Sequence, residues 1–367
     1  MAKYSKKTGR RLIVADTKIT QGAVLEALSR VMDPELNKDL VTMNMIRDVK
    51  IDGASVSFSL VLTTHACPLK KELESSAREA VEKIAGVKEV KINVTANVPE
   101  AKKLPGKEAI DGVKNTIAVA SGKGGVGKST VSVNLALSLA KTGAKVGLLD
   151  IDLYGPSIPM MMGIHEDLTT NENKQLIPVI KEGLKLMSVG FMLDEETPLI
   201  WRGPLVMQLV QQFLRGVEWG SLDYLVIDLP PGTGDAQLTL VQTIPLTGAV
   251  IVTTPQDVAL IDARRAIKMF QQVNVPILGI VENMSSFCCP HCGKTTEIFS
   301  HGGGEKTSSR YEVDFLGNLP IDLKIREGGD SGKPVTIAHP DSAEAKAFDA
   351  IACKVAAKIS VVDLQEA

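Results

Sequence analysis

The feature that most constrains this chain is a glycine-rich decapeptide at residues 121–130, Ser-Gly-Lys-Gly-Gly-Val-Gly-Lys-Ser-Thr. It follows a β-branched run at 115–120 and precedes an apolar stretch at 131–140 with helical content. The full pattern G-x-x-x-x-G-K-[ST] between a strand and a helix predicts a phosphate-binding P-loop rather than a plain glycine turn. In such a loop, successive backbone N–H groups meet phosphate oxygens at the N-terminus of a helix.

The P-loop carries one lysine more than phosphate binding requires. Lys128 is expected to reach the β- and γ-phosphates, and the Ser129 hydroxyl to ligate Mg²⁺. Lys123 is the additional lysine, and it narrows the class of NTPase to which the chain can belong. The residues predicted to bind nucleotide in this loop are Gly122, Lys123, Gly124, Gly125, Val126, Gly127, Lys128, Ser129 and Thr130.

Composition bounds the remaining possibilities. A chain of 367 residues with 44% hydrophobic content can bury a large core and is expected to form two domains. Its net charge of −2 gives no reason to expect a nucleic-acid or membrane partner. The sequence shows neither an apolar run of membrane-spanning length nor the apolar segment of a signal peptide, so a cytoplasmic location is predicted.

The sequence predicts four consecutive regions. Residues 1–16 are basic and polar and are expected to form a mobile tail. Residues 17–98 show an αββαβ pattern typical of a small α+β domain, and 99–112 form a charged linker with two prolines. Residues 113–367 are predicted to form the nucleotide-binding domain, with a final helix at about 342–359.

The larger domain is predicted to be an α/β fold. Its apolar β-branched runs alternate with helical patterns, which indicates a mostly parallel sheet covered by helices on both faces. Ligands are then expected at the carboxyl ends of the strands. The predicted strands are at 115–120, 145–151, 184–189, 224–229, 248–254, 277–282 and 315–319.

Carboxylates follow two of these strands. Asp150 is predicted to hold Mg²⁺-bound water, and Asp152 to orient the water that attacks the γ-phosphate. Asp228 ends a Walker B pattern and is predicted to support the metal shell, so the magnesium set is Ser129, Asp150 and Asp228. Solvated acidic residues at strand tips are the alternative. Asp235 is expected to be a helix N-cap, with a catalytic role left open.

Two cysteines in a C-x-x-C pattern predict half of a metal site. Cys289 and Cys292 supply two thiolates, and Cys353 is expected to be a small core residue. Two subunits related by a two-fold axis would supply four thiolates, a set suited to a [4Fe–4S] cluster. A bridging zinc ion and a redox dithiol stay open. Cys288 could be a spare ligand, a transfer thiol or merely adjacent, and His291 is interpreted as a spacer.

Several motifs in combination resemble one family. They are the two-lysine loop, Asp-x-Asp-x-x-Gly-Pro-Ser at 150–157, Trp-Arg-Gly-Pro at 201–204, Asp-x-Pro-Pro-Gly-Thr-Gly-Asp at 228–235, Thr-Pro-Gln at 254–256 and Cys-Pro-His-Cys at 289–292. This set is similar to that of the Mrp/ApbC iron–sulfur cluster carrier ATPases, in the deviant Walker A class with MinD and ParA-type proteins.

The resemblance implies a homodimer that binds and hydrolyses ATP and passes a cluster to apo iron–sulfur proteins, with cluster scaffold proteins as further partners. Turnover is predicted to be slow, because no residue beyond the two loop lysines resembles an arginine finger. The resemblance implies that Lys123 crosses the dimer interface to the partner's nucleotide. Together with Lys128 and Asp152, Lys123 is therefore a catalytic candidate. The resemblance also implies that Asn283 recognises adenine, although Asn is also a common turn residue. Arg202 is a candidate for an interface role or a surface salt bridge.

Residues 17–98 resemble the SufT/PaaD-like small domain of iron–sulfur assembly proteins. The matching motifs are Asp-Pro-Glu at 33–35 and Thr-His-Ala-Cys-Pro-Leu at 64–69. Cys67 precedes a proline and is predicted to be a helix N-cap, where the helix dipole favours a thiolate, so it is a possible transfer thiol. An unreactive half-buried thiol is the alternative.

Two other functional classes stay open at this point. A MinD/ParA-like positioning ATPase would need a membrane-targeting tail or a basic surface, but the segment 352–367 has only two lysines and ends acidic. A reductase like the nitrogenase iron protein has widely separated cluster ligands, whereas Cys289 and Cys292 share one loop.

Overall fold

The computed structural model describes residues 19–34, 38–101, 107–192 and 203–365. The predicted tail at 1–16, Glu35 and Arg202 lie outside the described residues. The chain divides into two compact units. Among the described residues, the small unit holds those before Thr63 together with Leu69–Ala96, and the large unit holds Thr63–Pro68 and those from Asn97 onward.

The small unit is an α+β structure whose main elements follow the predicted αββαβ order, with one short hairpin added. Its strand β4 alternates buried apolar residues with partly exposed serines, and it pairs antiparallel with β3 and parallel with β5. The elements are α1 (Gln21–Leu28), β1 (Met32–Asp33), β2 (Lys38–Asp39), β3 (Ile46–Asp52), β4 (Ser55–Leu62), α2 (Lys70–Glu82) and β5 (Glu89–Ala96).

The large unit alternates strands and helices along most of its length. Its elements are β6 (Val113–Ala120), α3 (Lys128–Lys141), β7 (Val146–Asp150), α4 (Ile158–Met161), β8 (Thr169–Thr170), β9 (Leu176–Ile177), β10 (Val179–Lys181), β11 (Leu184–Ser188), α5 (Gly203–Arg215), β12 (Leu222–Asp228), α6 (Asp235–Thr243), β13 (Gly248–Thr253), α7 (Asp257–Gln272), β14 (Ile277–Glu282), β15 (Phe287–Cys288), β16 (Thr295–Thr296), α8 (Gly303–Tyr311), β17 (Phe315–Asn318), α9 (Leu323–Asp330), α10 (Val335–Ala338) and α11 (Ala343–Gln365).

The eight-stranded sheet of this unit confirms the predicted fold class. Its strand order is β10-β11-β7-β12-β6-β13-β14-β17, and all neighbours pair in parallel except the edge strand β10. The strands β6, β7 and β12 are almost wholly buried, as expected for parallel strands covered on both faces. Their carboxyl ends place the P-loop, Asp150 and Asp228 at one edge of the sheet.

Two apolar cores flank the sheet. On one face α3 and α11 contribute residues such as Leu135 and Val355. On the other, α5, α6 and α7 contribute residues such as Phe213, Leu240 and Phe270. The P-loop therefore connects a buried strand to a helix that is itself buried along most of its length, so the elements at both ends of the loop are held by the core.

Cys67 does not cap a helix, so that prediction is wrong. Helix α2 begins three residues later, with Leu69 as its N-cap. Thr63–Pro68 belongs to the large unit instead, where Thr64 Oγ1 lies 3.2 Å from the Tyr224 hydroxyl and also accepts a hydrogen bond from the Ala66 N–H. Ala66 is buried in the core that includes α3. This long-range packing determines where the segment runs, and the helix starts only after it.

Candidate functional site

The P-loop joins β6 to α3 and depends on a glycine at the start of the helix. Gly127 is the N-cap of α3 and has a φ of 82°, in the left-handed region. A Cβ atom at this position would lie 2.2 Å from the amide nitrogen of Asn283. Both the positive φ and the close approach of Asn283 exclude any residue larger than glycine. Because no side chain is present at this position, the first N–H groups of α3 stay accessible to a phosphate.

Lys128 lies among carboxylate and hydroxyl oxygens. Its side chain is 6% exposed, and its Nζ lies 2.6 Å from Asp228 Oδ2 and 3.3 Å from Asp152 Oδ2. The Nζ atom also donates to Ser129 Oγ at 3.2 Å. A positively charged group therefore already occupies the centre of an oxygen cluster at the carboxyl ends of β7 and β12.

Asp228 is held by three donors. Besides Lys128, its Oδ2 accepts a hydrogen bond from Ser129 Oγ at 2.6 Å, and its Oδ1 accepts one from Ser132 Oγ at 2.6 Å. The carboxylate is fully buried. Hydroxyl and carboxylate oxygens are the ligands that Mg²⁺ prefers, so this donor set fits the ion.

Asp150 lies behind this cluster. Its Oδ1 accepts a hydrogen bond from the Asp152 N–H at 3.0 Å, and its Oδ2 accepts one from Ser188 Oγ at 2.8 Å. Burial, with Asp228 in register on the neighbouring strand, raises the pKa of Asp150 to about 7. Burial also raises the pKa of Asp152. Asp150 is thus placed to hold Asp152 in position, while its predicted contact with metal-bound water stays a prediction.

Lys123 differs from Lys128 in its surroundings. Its side chain is only partly exposed, and within the part of the chain that the structure describes its ammonium group makes no hydrogen bond or ion pair. Its backbone carbonyl accepts a hydrogen bond from Ser121 Oγ at 2.9 Å. The loop backbone at Lys123 is therefore fixed while its charged end is available to a second molecule.

Asn283 contacts the P-loop directly. Its Nδ2 donates to the Val126 carbonyl at 2.8 Å, and the side chain is buried. The amide nitrogen therefore holds the loop backbone in this structure, and adenine recognition stays a prediction. Asp235 is the first residue of α6 and Gly234 is the N-cap, so the predicted N-cap position was wrong by one residue.

The cysteines lie at the tip of a short hairpin formed by β15 and β16, residues 287–296, called here the cysteine hairpin. The backbone N–H groups of Cys292 and His291 donate to the Cys289 thiol and lower its pKa. Cys289 N–H donates to the Lys294 carbonyl, and the Gly293 N–H donates to the Cys289 carbonyl. This tight turn presents Cys289 and the exposed Cys292 outward and stabilises a thiolate at Cys289.

The hairpin supplies two or three thiols but no complete ligand set. Among the described residues, no group of three or more His, Cys, Asp or Glu side chains is arranged to hold a metal ion. Cys353 lies on α11, partly buried against the core, and burial raises its pKa. Cys67 lies in the segment Thr63–Pro68, which packs near Tyr224 in β12. Cys353 and Cys67 therefore both lie outside the cysteine hairpin.

A family model described as "NUBPL iron-transfer P-loop NTPase" matches residues 112–356. The chain belongs to this family. A second family model, described as "Iron-sulfur cluster assembly protein", matches residues 21–94. The "Iron-sulfur cluster carrier protein" of Synechocystis sp. is 52% identical over 351 residues, which cover 94% of this chain and 99% of that protein. The predicted family resemblance is thereby confirmed.

Solved structures share the fold of the large unit. A nucleotide-binding protein from Archaeoglobus fulgidus, solved in complex with ADP, is 41% identical with a TM-score of 0.56, covering 64% of this chain and 91% of that one. The cell division ATPase MinD of Pyrococcus furiosus is 23% identical with a TM-score of 0.50, covering 66% and 98%, and shows the fold alone. No helix in the described residues has the length and apolarity needed to cross a bilayer.

Sequence reasoning missed three residues around this NTPase's site. Ser132 lies one helical turn after Lys128, and this i, i+4 spacing, which places the two residues on one face of the helix, could have indicated it. Ser188 ends β11 in register with Asp150 and was recognisable as a polar residue at the end of an apolar strand. Lys324 lies near Cys288, and its pKa is raised mainly by its hydrogen bond to Glu344, with a smaller contribution from that cysteine. Nothing in the sequence indicated this last proximity.

Proposed function

We propose that this protein is a homodimeric ATPase that binds a [4Fe–4S] cluster between two subunits and passes it to apo iron–sulfur proteins. The observation that carries the proposal is the cysteine hairpin, which presents the thiols of Cys289 and Cys292 without a complete metal-ligand set among the described residues. The hairpin begins four residues after Asn283, which contacts the P-loop. Two copies related by a two-fold axis would complete four thiolates around one cluster. The cluster is cargo, and it is bound and released rather than consumed.

Nucleotide binding at the P-loop controls when the cluster is bound and released. We propose that the P-loop from Gly122 to Thr130 binds the ATP phosphates and that Asn283 contributes to the adenine side of the site. Ser129 and Asp228 would hold Mg²⁺ together with Asp150, and the ion would neutralise charge on the β- and γ-phosphates. ATP binding then requires that the Lys128 ammonium leave the carboxylates for the phosphates, which frees the oxygen cluster for the metal.

Hydrolysis is assigned to three side chains. Asp152 holds the attacking water, and its own position is maintained by the bond between its N–H and Asp150. Lys128 stabilises the negative charge that develops on the γ-phosphate. Lys123 of each subunit supplies a second positive charge to the nucleotide bound by the other subunit. We expect slow turnover, since no arginine in the described residues makes a hydrogen bond or ion pair with the P-loop or its carboxylates, which an arginine finger would need to approach.

The partly exposed state of Lys123 supports a role across the interface. A lysine that serves its own nucleotide would be drawn toward the oxygen cluster, as Lys128 is. Lys123 is instead left with its charge available, and in a two-fold dimer the same axis would bring both lysines to the nucleotides and both hairpins to one another. ATP binding and cluster binding would thus share one interface.

Anaerobic reconstitution with iron and sulfide tests the cargo assignment. We expect the wild-type protein to develop the broad thiolate-to-iron absorption of an iron–sulfur cluster and the Cys289→Ala/Cys292→Ala variant to lack it. Cys353→Ala is the matched control because that cysteine lies away from the hairpin. A double variant with an unchanged spectrum would contradict the assignment, and a wild-type protein that takes up zinc but no iron would favour the zinc-bridged alternative.

A further inference from the structure

Glu282 is a buried carboxylate to which no role has yet been assigned. It is the last residue of β14, and its side chain is fully buried. Its Oε1 accepts a hydrogen bond from the Gly302 N–H at 3.1 Å, and its Oε2 accepts one from the Gly304 N–H at 2.6 Å. The imidazole Nδ1 of His301 lies 3.8 Å from Oε1. A carboxylate is costly to bury, so these donors fix it firmly.

The glycines that meet Glu282 are shaped for this contact. A Cβ atom on Gly304 would lie 3.0 Å from the Cβ of Glu282, and one on Gly303 would lie 2.4 Å from Leu260 Cδ1. The run of glycines before α8 thus allows a close approach of backbone to carboxylate and to α7. Glu282 also accepts from the N-terminal N–H groups of α8, where a negative charge is stabilised by the helix dipole.

Glu282 and its neighbour Asn283 connect the nucleotide loop with both ends of the cysteine hairpin. Asn283 donates to the Val126 carbonyl in the P-loop. The hairpin begins four residues after Asn283 and ends six residues before Gly302, which Glu282 holds. Successive side chains at a strand end point to different sides, so one of the pair contacts the P-loop and the other contacts the exit of the hairpin segment.

We infer that Glu282 is a positioning residue that transmits the nucleotide state of the P-loop to the cysteine hairpin. When Lys128 moves to the phosphates, the neighbouring Val126 carbonyl shifts with the loop, and Asn283 follows it. Glu282 then carries the shift to Gly302 and Gly304, and so to the exit of the hairpin segment. The inference rests on the proposed nucleotide-coupled carrier function, but it concerns the thiols alone and requires no cluster.

Alkylation of the hairpin cysteines by N-ethylmaleimide tests this, with and without Mg²⁺ and a slowly hydrolysed ATP analogue. Peptide mass spectrometry gives the modification rate at Cys289 and Cys292, with Cys353 as an internal reference. We expect nucleotide to change the wild-type rate by about fivefold or more. In Glu282→Gln, the side-chain NH₂ group faces one of the two backbone N–H groups and cannot accept its hydrogen bond. The ratio of the alkylation rates with and without nucleotide should therefore fall to about one, while nucleotide affinity stays within about twofold of wild type.

The matched control is Glu305→Gln, which removes an exposed carboxylate from the first turn of the same helix. It should keep the wild-type response. A Glu282→Gln protein that retains the full response would overturn the inference, and so would one that loses nucleotide affinity, because Glu282 would then support the nucleotide site itself.

Hydrogen exchange in the wild-type protein gives a second test that needs no variant. Nucleotide should alter the protection of amides in the segment 286–304, and unchanged exchange there would also overturn the inference. Failure of the proposed function has a different signature. A wild-type protein whose thiols respond to nucleotide but which binds no iron would refute the carrier assignment and leave the role of Glu282 intact.

Discussion

Removing the charge of Lys128 should destabilise the nucleotide-free protein strongly. Lys128 is 6% exposed, and its closest partner, Asp228, is fully buried at 2.6 Å. Deleting one member of such a pair leaves an uncompensated buried charge, which costs about 3–5 kcal/mol. Ser129 and Ser132 still donate to Asp228, so the lower part of this range, about 3 kcal/mol, is expected for Lys128→Met. This is a large fraction of a total stability of about 5–15 kcal/mol.

Urea unfolding monitored by tryptophan fluorescence measures this loss. Trp219 is buried in the large unit, so its fluorescence reports the unfolding of that unit. Lys123→Met is the matched control, with the same substitution in the same loop at a partly exposed lysine, and it should change stability by less than about 0.5 kcal/mol.

A double-mutant cycle identifies the cause. Adding Asp228→Asn to Lys128→Met removes the stranded charge, so the double variant should recover about 2 kcal/mol relative to Lys128→Met alone. Two results would contradict a buried ion pair as the cause. One is a free energy of unfolding for Lys128→Met equal to that of Lys123→Met, and the other is a loss of stability that Asp228→Asn does not relieve.

Three further predictions concern the same site. Lys123→Ala should lower ATP hydrolysis about tenfold or more while leaving the folded subunit intact, and wild-type turnover would remove it from the mechanism. Asp150 has a pKa of about 7 in the native state against 3.8 in the unfolded chain, so its contribution to stability is lost as pH rises toward 7. Wild-type protein should therefore lose about 2–3 kcal/mol more than Asp150→Asn between pH 5 and pH 8, and equal losses would contradict the raised pKa. Gly127→Ala should abolish nucleotide binding in a fluorescent-nucleotide titration, whereas Gly124→Ala, which meets no atom closer than 4.0 Å, should retain it.

The sequence was most informative where local pattern and topology coincide. The seven predicted strands of the large unit each lie within about two residues of the observed ones, because apolar β-branched runs suit buried parallel strands. Asp150 and Asp228 could be placed together since parallel neighbouring strands end at one edge of the sheet. Short hairpins such as β15–β16 were missed, because two-residue strands leave no periodic pattern.

Contacts between distant parts of the chain escaped prediction. Cys67 was assigned to a helix N-cap from the proline that follows it, but the packing of Thr64 against Tyr224, 160 positions away, determined its place. The insertion of Lys128 among carboxylates was equally invisible, since the motif describes the loop with phosphate bound. The role inferred for Glu282 depends on backbone N–H groups twenty residues later, which carry no sequence signal.

The metal and acid-labile sulfide content of protein purified without oxygen tests the central claim most directly. We expect about four iron and four sulfide per dimer, lost in Cys289→Ala/Cys292→Ala and retained in Cys353→Ala. Zinc without sulfide in the wild-type protein, or iron and sulfide retained in the double variant, would contradict it.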